Sequence, residues 1–384
     1  MFWNKPKSVL GIDIGAGGVK VVELRPEKGR PVLFTYGYTS EKQNVHRLSQ
    51  ALREKSQSDI LLQSNPSEQK KVGAVPVDIS DDEVNKYADM IKAVCRGAKT
   101  VSKMATVSLP VSAVFHVVVN LPPVKKEELT GILKAEVKKL IPVPIEDMVL
   151  DYQVLPAPPE AKARTYIVNA VPRALMAFYT KIFSKAGLTL TALEPESSAL
   201  ARSLVGRETG VVMILDIGAE QTNFFIIEQG LPMTHKTIEM GGDKINKILK
   251  EVWQVTDGEV EKMKMDLFNH LLSGAGKGAV DRTRFAELFS TVIDPIIKEI
   301  EYGLEVYLRQ SNNTGKMPEK VILSGGGSFL PYLPEIIADK FKLKCYVGDP
   351  WGRVVYQDGL RPVLNAVGPR LAVSIGLALR DMVK

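Results

Sequence analysis

The chain has 384 residues, of which 45% are hydrophobic and 24% are charged, and its formal net charge is +6. At about 100–200 residues per domain, this length predicts a globular protein of several domains. No run of about 18 uncharged apolar residues occurs, so no transmembrane helix is expected, and the first residues, MFWNKPK, lack the apolar core of a signal peptide. The 50 basic and 44 acidic residues are interspersed, which favours a mixed solvated surface over a site for nucleic acid.

The cysteines and histidines give no sign of a metal centre. Cys95 and Cys345 have no metal-ligand spacing, and so few cysteines in a chain of this size predict a reducing compartment, the cytoplasm. The histidines fall into no HxxxH or Cys/His group, so no zinc site is expected. They are His46, His116, His235 and His270.

Residues 10–24, LGIDIGAGGVKVVEL, predict a β-hairpin with a glycine-rich turn. Consecutive N–H groups in such a turn can form a concave site for phosphate, and Asp13 at the end of the first strand can hold a hydrated Mg²⁺. Lys20, in the second strand, can reach back over the turn to a phosphate oxygen. On this stretch alone, an ordinary glycine-rich hairpin with one aspartate is an equally good interpretation.

A second copy of this pattern lies at 211–224, VVMILDIGAEQTNF. With Asp216 aligned on Asp13, the tetrapeptide DIGA repeats and Lys20 falls opposite Asn223. Each copy continues through a turn into a third strand-like run. The repeat therefore predicts two equivalent lobes, each with a small-residue loop and a carboxylate, that face one phosphate chain.

Between the two copies the sequence predicts a polar stretch at 39–72 with one short helix at 44–54, and an amphipathic helix at 81–98. A small αβ module follows at 111–188, where the composition changes and no cluster of catalytic side chains occurs. Such a module is typical of a binding or assembly surface. The elements predicted within it are strands at 115–121, 151–155 and 164–172 and helices at 125–140 and 172–187.

The second half of the chain predicts further helices and another glycine-rich loop. At 188–205 a strand, a turn and a helix are expected, with LEPE at the junction. The loop at 272–280 contains GxGKG, but it has neither the spacing nor the preceding strand of a phosphate-binding P-loop. The remaining predicted elements are helices at 244–255, 259–268, 284–307, 333–340 and 365–384, strands at 106–109 and 321–323 and the loop SGGGS at 324–328.

Five stretches, in the right order along the whole chain, resemble the motifs of the actin-like ATPase superfamily. They are two phosphate loops at 13–20 and 216–223, two interlobe connections at 193–199 and 372–380, and an adenosine loop at 323–328. The resemblance implies a two-lobed actin-like (ribonuclease H-like) α/β fold with an FtsA-type inserted small αβ subdomain. It divides the chain into a first lobe (1–110, completed by 189–209 and 365–384), the inserted subdomain (111–188), a second lobe (210–241 and 310–364) and the subdomain of that lobe (242–309).

The resemblance also implies that ATP or ADP binds with Mg²⁺ in the cleft between the lobes. Asp13 and Asp216 would hold the metal through water. Glu194, on the first connection, would orient the attacking water, or would instead be a carboxylate at a helix N-terminus beside Pro195. The residues expected to bind nucleotide are Gly15, Ala16, Gly17, Gly18, Lys20, Gly218, Ala219, Glu220, Gln221, Thr222, Asn223, Gly242, Glu261, Lys264, Gly325, Gly326, Gly327 and Ser328.

Two pairs of residues in this set bear on ribose binding and on the rate of hydrolysis. Glu261 and Lys264 are three residues apart on one helical face and resemble the pair that binds the ribose in bacterial members of the superfamily. Glu220 and Gln221 stand where FtsA-like chains have more glycine, and an extra carboxylate beside the last phosphate would hinder turnover. Nucleotide binding with slow hydrolysis is therefore expected.

Within the superfamily, residues 129–155 look very much like the PilM family of the type IV pilus machine. That resemblance implies a cytoplasmic protein that is recruited to the inner membrane by the N-terminal cytoplasmic peptide of PilN. The peptide is expected in the groove between the first lobe and residues 111–188, and other pilus platform proteins and motor ATPases are further expected partners.

Other functions remain as alternatives within the superfamily. An FtsA-like, filament-forming division ATPase fits the fold, but its C-terminal amphipathic membrane anchor has no counterpart among the motifs of this chain. A sugar or acetate kinase would need a catalytic aspartate and polar substrate-binding residues, and none stands out. An Hsp70-type chaperone would need a substrate domain beyond the two lobes.

Overall fold

The structure is a computed structural model of the chain and describes residues 8–41, 43, 81–141, 143–158, 160–272, 282–310 and 315–383. The predicted helix at 44–54, most of the polar stretch at 39–72 and nearly all of the loop at 272–280 lie outside the described residues. The described strands are β1 Val9–Gly15, β2 Gly18–Glu27, β3 Arg30–Tyr38, β4 Met104–Leu109, β5 Phe115–Leu121, β6 Met148–Val154, β7 Arg164–Pro172, β8 Thr189–Pro195, β9 Val211–Ile217, β10 Thr222–Glu228, β11 Leu231–Ile238, β12 Lys320–Ser324 and β13 Lys344–Val347. The described helices are α1 Asp81–Gly97, α2 Lys126–Leu140, α3 Arg173–Ala186, α4 Glu196–Leu200, α5 Gly242–Trp253, α6 Asp257–Leu272, α7 Arg282–Leu288, α8 Ser290–Leu308, α9 Leu333–Phe341 and α10 Arg361–Ala378.

The two larger sheets have the same strand order. The first runs β3-β2-β1-β4-β8 and the second runs β11-β10-β9-β12-β13. In each sheet an antiparallel meander of three strands is followed by two parallel strands. Asp13 pairs with Lys20 and Asp216 with Asn223 in the strand register, so the alignment of the two sequence copies is also the alignment of the two sheets.

The central strands of both sheets are apolar along most of their length because both faces are covered. β1 and β9 are each buried at nearly every position, as expected for strands between two layers. Helices α1 and α3 pack on the first sheet, and α5, α8 and α9 pack on the second. The apolar side chains that they bury include Val84, Ile91 and Phe183 on the first lobe and Ile245, Ile296 and Ile337 on the second.

Between β4 and β8 the chain forms a third, antiparallel sheet of order β5-β7-β6. Helix α2 packs on it through an apolar cluster that includes Leu133 and Val137, and Ile167 of β7 joins the core of the second lobe. The imidazole rings of His116 on β5 and His235 on β11 stack at that contact, with centroids 3.9 Å apart. Burial lowers the pKa of both histidines, and the neighbouring His116 lowers the pKa of His235 further, so both rings are neutral at neutral pH.

Helix α10 contacts both lobes. It packs on β1, β2 and β4 of the first sheet, on α4 and on β12 of the second sheet. A Cβ atom on Gly376 would lie 1.9 Å from the carbonyl oxygen of Ala199 in α4. Only glycine allows α10 and α4 to approach this closely.

The long helix expected at 284–307 is interrupted and forms two helices, α7 and α8, separated by Phe289. Pro295 lies within α8. Pro295 is the sixth residue of α8, beyond the first turn in which proline is tolerated, so α8 lacks one backbone hydrogen bond there.

The strand–turn–helix expected at 188–205 has no turn. β8 ends at Pro195 and α4 begins at Glu196. The φ of −60° at Pro195 suits the residue that precedes a helix, so the proline joins the strand to the helix directly. Of the helices described above, none combines the length and the apolar character that a bilayer crossing requires.

We expect Gly376→Ala to lower the free energy of unfolding by about 1–3 kcal/mol, because the added methyl overlaps the Ala199 carbonyl. Gly303 lies within α8 with no atom near its Cβ position, so Gly303→Ala should raise the free energy of unfolding by about 0.5–1 kcal/mol. Urea unfolding of both variants measures the difference. Two effects of the same sign would contradict the close packing of α10 on α4.

Candidate functional site

A cleft of about 550 Å³ lies between the two lobes. The glycine-rich turns after β1 and β9 face each other across it, since a Cβ atom on Gly17 would lie 3.2 Å from the Cβ atom of Ala219. The two predicted phosphate loops therefore share one crevice. The predicted residues that line it are Asp13, Gly15, Ala16, Gly17, Lys20, Asp216, Gly218, Ala219, Gln221, Asn223, Gly242, Glu261, Lys264, Gly325, Gly326 and Gly327.

The first turn is a two-residue hairpin turn. Gly15 pairs with Gly18, which leaves Ala16 and Gly17 as the turn itself. Gly18 has a φ of +120°, and a Cβ atom there would lie 2.0 Å from the carbonyl oxygen of Thr39. Gly18 thus shapes the loop without lining the cleft.

The second turn is held in place by α5, the helix that follows β11. The N–H of Gly218 donates to the carbonyl of Gln221 at 2.9 Å. The first amides of α5, those of Gly242 and Asp243, donate to the carbonyls of Gly218 and Ala219 at 2.8 and 2.9 Å. The start of α5 therefore packs on the turn and forms one wall of the cleft.

Three further residues predicted to bind nucleotide do not line the cleft. The Thr222 hydroxyl is buried and donates to the carbonyl of Met240 at 2.5 Å. Ser328 is buried and its hydroxyl donates to the carbonyl of Gly325 at 2.7 Å. Glu220 is exposed and is not among the residues that line the cleft. Thr222 and Ser328 shape their loops through these bonds.

Charged groups of both lobes meet at the floor of the cleft around one lysine. Lys20 Nζ lies 2.6 Å from Asp13 Oδ2, and the hydroxyl of Ser108 donates to Asp13 Oδ1 at 2.7 Å. Burial acts to lower the pKa of Lys20, but the charge and hydrogen bond of Asp13, with the charges of Asp216 and Glu196, outweigh it and raise that pKa. Lys20 is therefore a permanent cation between three carboxyl groups.

The other two carboxyl groups are held partly protonated by this crowding. Burial, and then the charge of Asp13, raise the pKa of Asp216 to about 6. Burial and the charges of Asp13 and Asp216 raise the pKa of Glu196 well above its usual value. Asn223 Nδ2 donates to Glu196 Oε2 at 3.2 Å. One lysine does not balance three ionised carboxyl groups, so a cation placed here would favour their ionised forms.

The donor set suits a hydrated magnesium ion. Asp13 and Asp216 are hard oxygen donors from opposite lobes, and Mg²⁺ prefers oxygen ligands and keeps several waters. Among the described residues, no group of three or more His, Cys, Asp or Glu side chains is arranged to hold a metal ion directly. Two carboxylates leave most coordination positions of such an ion to water and to ligand oxygens.

The predicted pair on α6 forms a buried polar network at the other end of the cleft. Lys264 is 1% exposed, and its Nζ lies 2.9 Å from Glu261 Oε1 and 3.1 Å from Asn246 Oδ1. Glu261 also pairs with Arg370 of α10. Burial acts to raise the pKa of Glu261, but Lys264 and Arg370 outweigh it and lower that pKa, so the carboxylate stays ionised.

The third glycine-rich loop, after β12, lies on the second lobe's side of the cleft. Gly325 has a φ of +80°, and a Cβ atom there would lie 2.3 Å from the carbonyl oxygen of Ile217. Its N–H donates to the carbonyl of Pro369 at 2.9 Å. Because no side chain fits at Gly325, backbone forms the surface of the cleft here.

Glu194 is not brought to the cleft. Its two carboxylate oxygens lie 2.9 Å from Arg202 Nη2 and 2.5 Å from Arg380 Nε. Glu196, two residues later, lines the cleft instead. Pro195 lies between them at the change from strand to helix, and this change of backbone direction separates the two carboxylates.

Several lining residues were missed by the sequence analysis. Arg370 and Asn246 contact Glu261 from distant parts of the chain, and no local pattern marks them. Lys247 and Lys250 follow Asp243 at helical spacing on α5, so the periodicity of that helix contained a signal. The missed residues are Ser40, Glu196, Asp243, Asn246, Lys247, Lys250, Pro369, Arg370 and Val373.

We expect the protein without ligand to lose stability as the pH rises from about 4 to 6. The pKa of Asp216 is raised in the folded state, so its contribution is complete below the unfolded pKa and is lost as the pH passes the folded pKa. Asp216→Asn removes this loss and should be more stable than the parent by about 1–3 kcal/mol at pH 7–8. Asp89→Asn, at a position 73% exposed, is the control in pH-dependent urea unfolding. If the parent and Asp216→Asn have the same free energy of unfolding at pH 7–8, the crowding of carboxyl groups around Asp216 does not raise its pKa, and the prediction is wrong.

Comparison with known proteins identifies a family that this chain matches. The sequence profile of a family described as type IV pilus assembly protein PilM matches residues 51–382. A solved structure, the PilM-PilN type IV pilus biogenesis complex, superimposes with a TM-score of 0.73 at 22% identity, over 98% of this chain and 99% of that chain. This likeness confirms the expected two-lobed actin-like α/β fold with its small inserted unit.

Two further proteins are similar to this chain, one over a shorter length and one with a lower TM-score. Cell division protein FtsA of Borreliella burgdorferi is 22% identical over 200 residues, which are 48% of this chain and 45% of that protein. The chain thus spans less than half of this curated relative, and the FtsA-like alternative is not favoured. The ethanolamine utilization protein EutJ of Carboxydothermus hydrogenoformans superimposes with a TM-score of 0.48 at 16% identity, over 97% of this chain and 90% of that chain. Because the profile covers most of the sequence and the structural match spans both lobes, this chain belongs to the PilM family of type IV pilus assembly proteins.

Proposed function

We propose that this protein is an ATP- or ADP-binding scaffold of the type IV pilus inner-membrane platform, whose lobes respond to the nucleotide. The observation that carries the proposal is the approach of the two glycine-rich turns, 3.2 Å apart at the Cβ positions of Gly17 and Ala219, beside Lys20 and the carboxyl groups. A ligand that touches both turns favours the closed arrangement of the lobes, since it stabilises the conformation that it contacts on both sides.

The roles of the lining residues follow from their chemistry. Backbone N–H groups of the two turns, together with Lys20, suit the phosphates. Asp13 and Asp216 suit a hydrated Mg²⁺, which would neutralise phosphate charge. Glu261 and Lys264 suit the ribose hydroxyls as acceptor and donor. The backbone surface at 325–327 suits the flat adenine ring.

We expect Glu261→Gln to weaken binding of MgATP or MgADP about tenfold or more, since it removes a charged acceptor and disturbs Lys264. The matched control is Glu259→Gln on the same helix, whose carboxylate accepts from Thr256 at the surface. Calorimetric titration of both variants against the parent measures the effect, with thermal unfolding to verify that each is folded. Equal affinities for all three proteins would remove Glu261 from the site and weaken the nucleotide proposal.

For hydrolysis, Glu196 replaces Glu194 as the proposed residue that orients water. Glu196 faces the cleft, and its raised pKa keeps a fraction of it protonated near neutral pH, so that only the ionised fraction orients water, which supports slow turnover. Glu196→Gln should reduce the single-turnover hydrolysis rate by a factor on the order of 10²–10⁴, whereas Glu194→Gln should leave it close to the parent rate. The reverse order of effects would return the role to Glu194.

We further propose that the partner is the N-terminal cytoplasmic peptide of PilN, bound between the first lobe and residues 111–188, and that PilN holds the protein at the inner membrane. Membership of the PilM family and the likeness to the solved PilM-PilN complex support this. The division into 1–110, 111–188, 189–209, 210–241, 242–309, 310–364 and 365–384 is retained as the proposed subdomain plan.

We expect a synthetic PilN N-terminal peptide to bind the full chain in fluorescence anisotropy, and a scrambled peptide of equal composition not to bind. In parallel, ultracentrifugation with and without MgATP tests the FtsA-like alternative, for which filaments should sediment only with nucleotide. Sedimenting filaments together with no peptide binding would favour the division-type function over pilus scaffolding.

A further inference from the structure

A second depression, the α5–α7 groove, has a volume of about 670 Å³ and lies among helices α5, α6 and α7 of the second lobe. It shares no lining residue with the interlobe cleft. Helices α5 and α6 each have one face on the cleft and another on the groove. On α6, for example, Lys264 lines the cleft, whereas Met263 and Leu267 line the groove. The groove is therefore a separate surface that adjoins the helices of the cleft.

The floor of the α5–α7 groove is largely aromatic and well packed. Leu249, Phe285 and Phe289 line it and are almost completely buried, and the two phenylalanine rings stack with their centroids 4.4 Å apart. Phe285 also contacts the ring of Tyr332 edge-on, with centroids 5.4 Å apart. All three floor residues belong to the hydrophobic core of the second lobe, so the groove has a firm base.

The rim of the groove is apolar too, and it is exposed. Val252 of α5, Met263 of α6 and Leu288 of α7 are 45%, 37% and 45% exposed. Large apolar side chains that are exposed singly are common on protein surfaces, but three of them around one apolar depression mark a site where another molecule binds. The flexible side chain of a methionine in such a rim adapts to the groups that it meets.

Among the described residues, Asp266 is the one charged side chain that lines the groove. It is exposed, and neither a hydrogen bond nor an ion pair joins it to another described residue. Four exposed neighbours of the rim residues, two bases and two acids, do not line the groove; they are Lys262, Arg284, Glu251 and Glu287. A carboxylate at the edge of an apolar surface favours a ligand that carries positive charge beside its apolar part.

The walls of the groove are helices, and this decides the conformation of a peptide that fills it. Along a helix the N–H and C=O groups are bonded to each other, so α5, α6 and α7 offer no strand edge to which an extended peptide could add. The backbone of a buried peptide still needs hydrogen-bond partners. A helical segment supplies them itself and presents its apolar side chains on one face.

We propose that the α5–α7 groove binds an amphipathic helix of a partner protein, with apolar side chains on the aromatic floor and a lysine or arginine beside Asp266. The chain belongs to a family of assembly proteins, for which a protein segment is a fitting occupant. A membrane surface fits less well, because a carboxylate at the groove repels anionic lipids. The groove is also distinct from the one proposed for the PilN peptide, which lies between the first lobe and residues 111–188.

The test selects binders from a displayed library of random peptides of about 18 residues, five helical turns, on the full chain without nucleotide. The selection is repeated on Leu288→Glu, which places a charge on the rim. Peptides enriched only on the parent should share apolar residues at helical spacing with a lysine or arginine next to them. A lack of enrichment, enrichment of the same peptides on both proteins, or enriched peptides without helical spacing would overturn the proposal.

The affinity of the most enriched peptide is then measured by fluorescence anisotropy. Leu288→Glu should weaken its binding about tenfold or more. The matched control is Leu140→Glu, at a leucine of α2 that is 60% exposed, and it should bind like the parent. Asp266→Asn should weaken binding about two- to fivefold, and Val252→Glu replaces Leu288→Glu if the latter does not fold. Equal losses in Leu140→Glu and Leu288→Glu would contradict binding at the groove.

Methyl NMR of the protein with labelled methionines locates the bound peptide independently. The signal of Met263 should shift when the peptide is added, whereas that of Met317, which is 47% exposed and does not line the groove, should stay in place. A shift at Met317 without one at Met263 would overturn the proposal. Phosphatidylglycerol vesicles that bind the parent but not Leu288→Glu would assign this face to a membrane and overturn it as well. Because nucleotide is absent from every sample, failure of the nucleotide proposal leaves these outcomes unchanged.

Discussion

The meeting of buried carboxyl groups from both lobes around Lys20 is the interaction on which the site depends. Asp13 comes from the first sheet, Asp216 from the equivalent position of the second, and Glu196 from the connection between them. A single lysine leaves an excess of negative charge among these groups when all three acids are ionised. The fold tolerates this because two of the acids resist ionisation, and a hydrated cation with its phosphates would relieve the conflict. Stability and ligand affinity are thus opposed at the same residues.

The repeated architecture could be predicted from the sequence because it is encoded locally. DIGA after an apolar run, present twice, predicted both hairpins, and the strand registers around Asp13 and Asp216 coincide as the alignment implied. The pair Glu261 and Lys264 was found from helical spacing, since residues three apart share a face. For these two features the signal was a short pattern on one element, and the strand register and the helix agree with it.

The remaining parts of the site depend on chain segments that meet only in the folded state. Arg370 reaches Glu261 across 109 residues, and nothing near Arg370 indicates this contact. Glu194 and Glu196 flank the same proline, and composition does not tell which of them faces the cleft, because that is decided by the change from strand to helix. Thr222 and Ser328 have the hydroxyls that a ligand site needs, but carbonyl oxygens of their own loops accept those bonds.

The stacked imidazoles of His116 and His235 fasten the small third sheet to the second lobe, although in sequence that sheet is an insertion into the first. The insertion therefore spans the boundary that nucleotide closure would move. Any rotation of one lobe against the other must either drag this sheet along or slide the two rings apart, which exposes unpaired ring nitrogens to water. A protein bound to the inserted sheet would therefore respond to how far the two lobes are open. The contact between these two uncharged rings would carry that response.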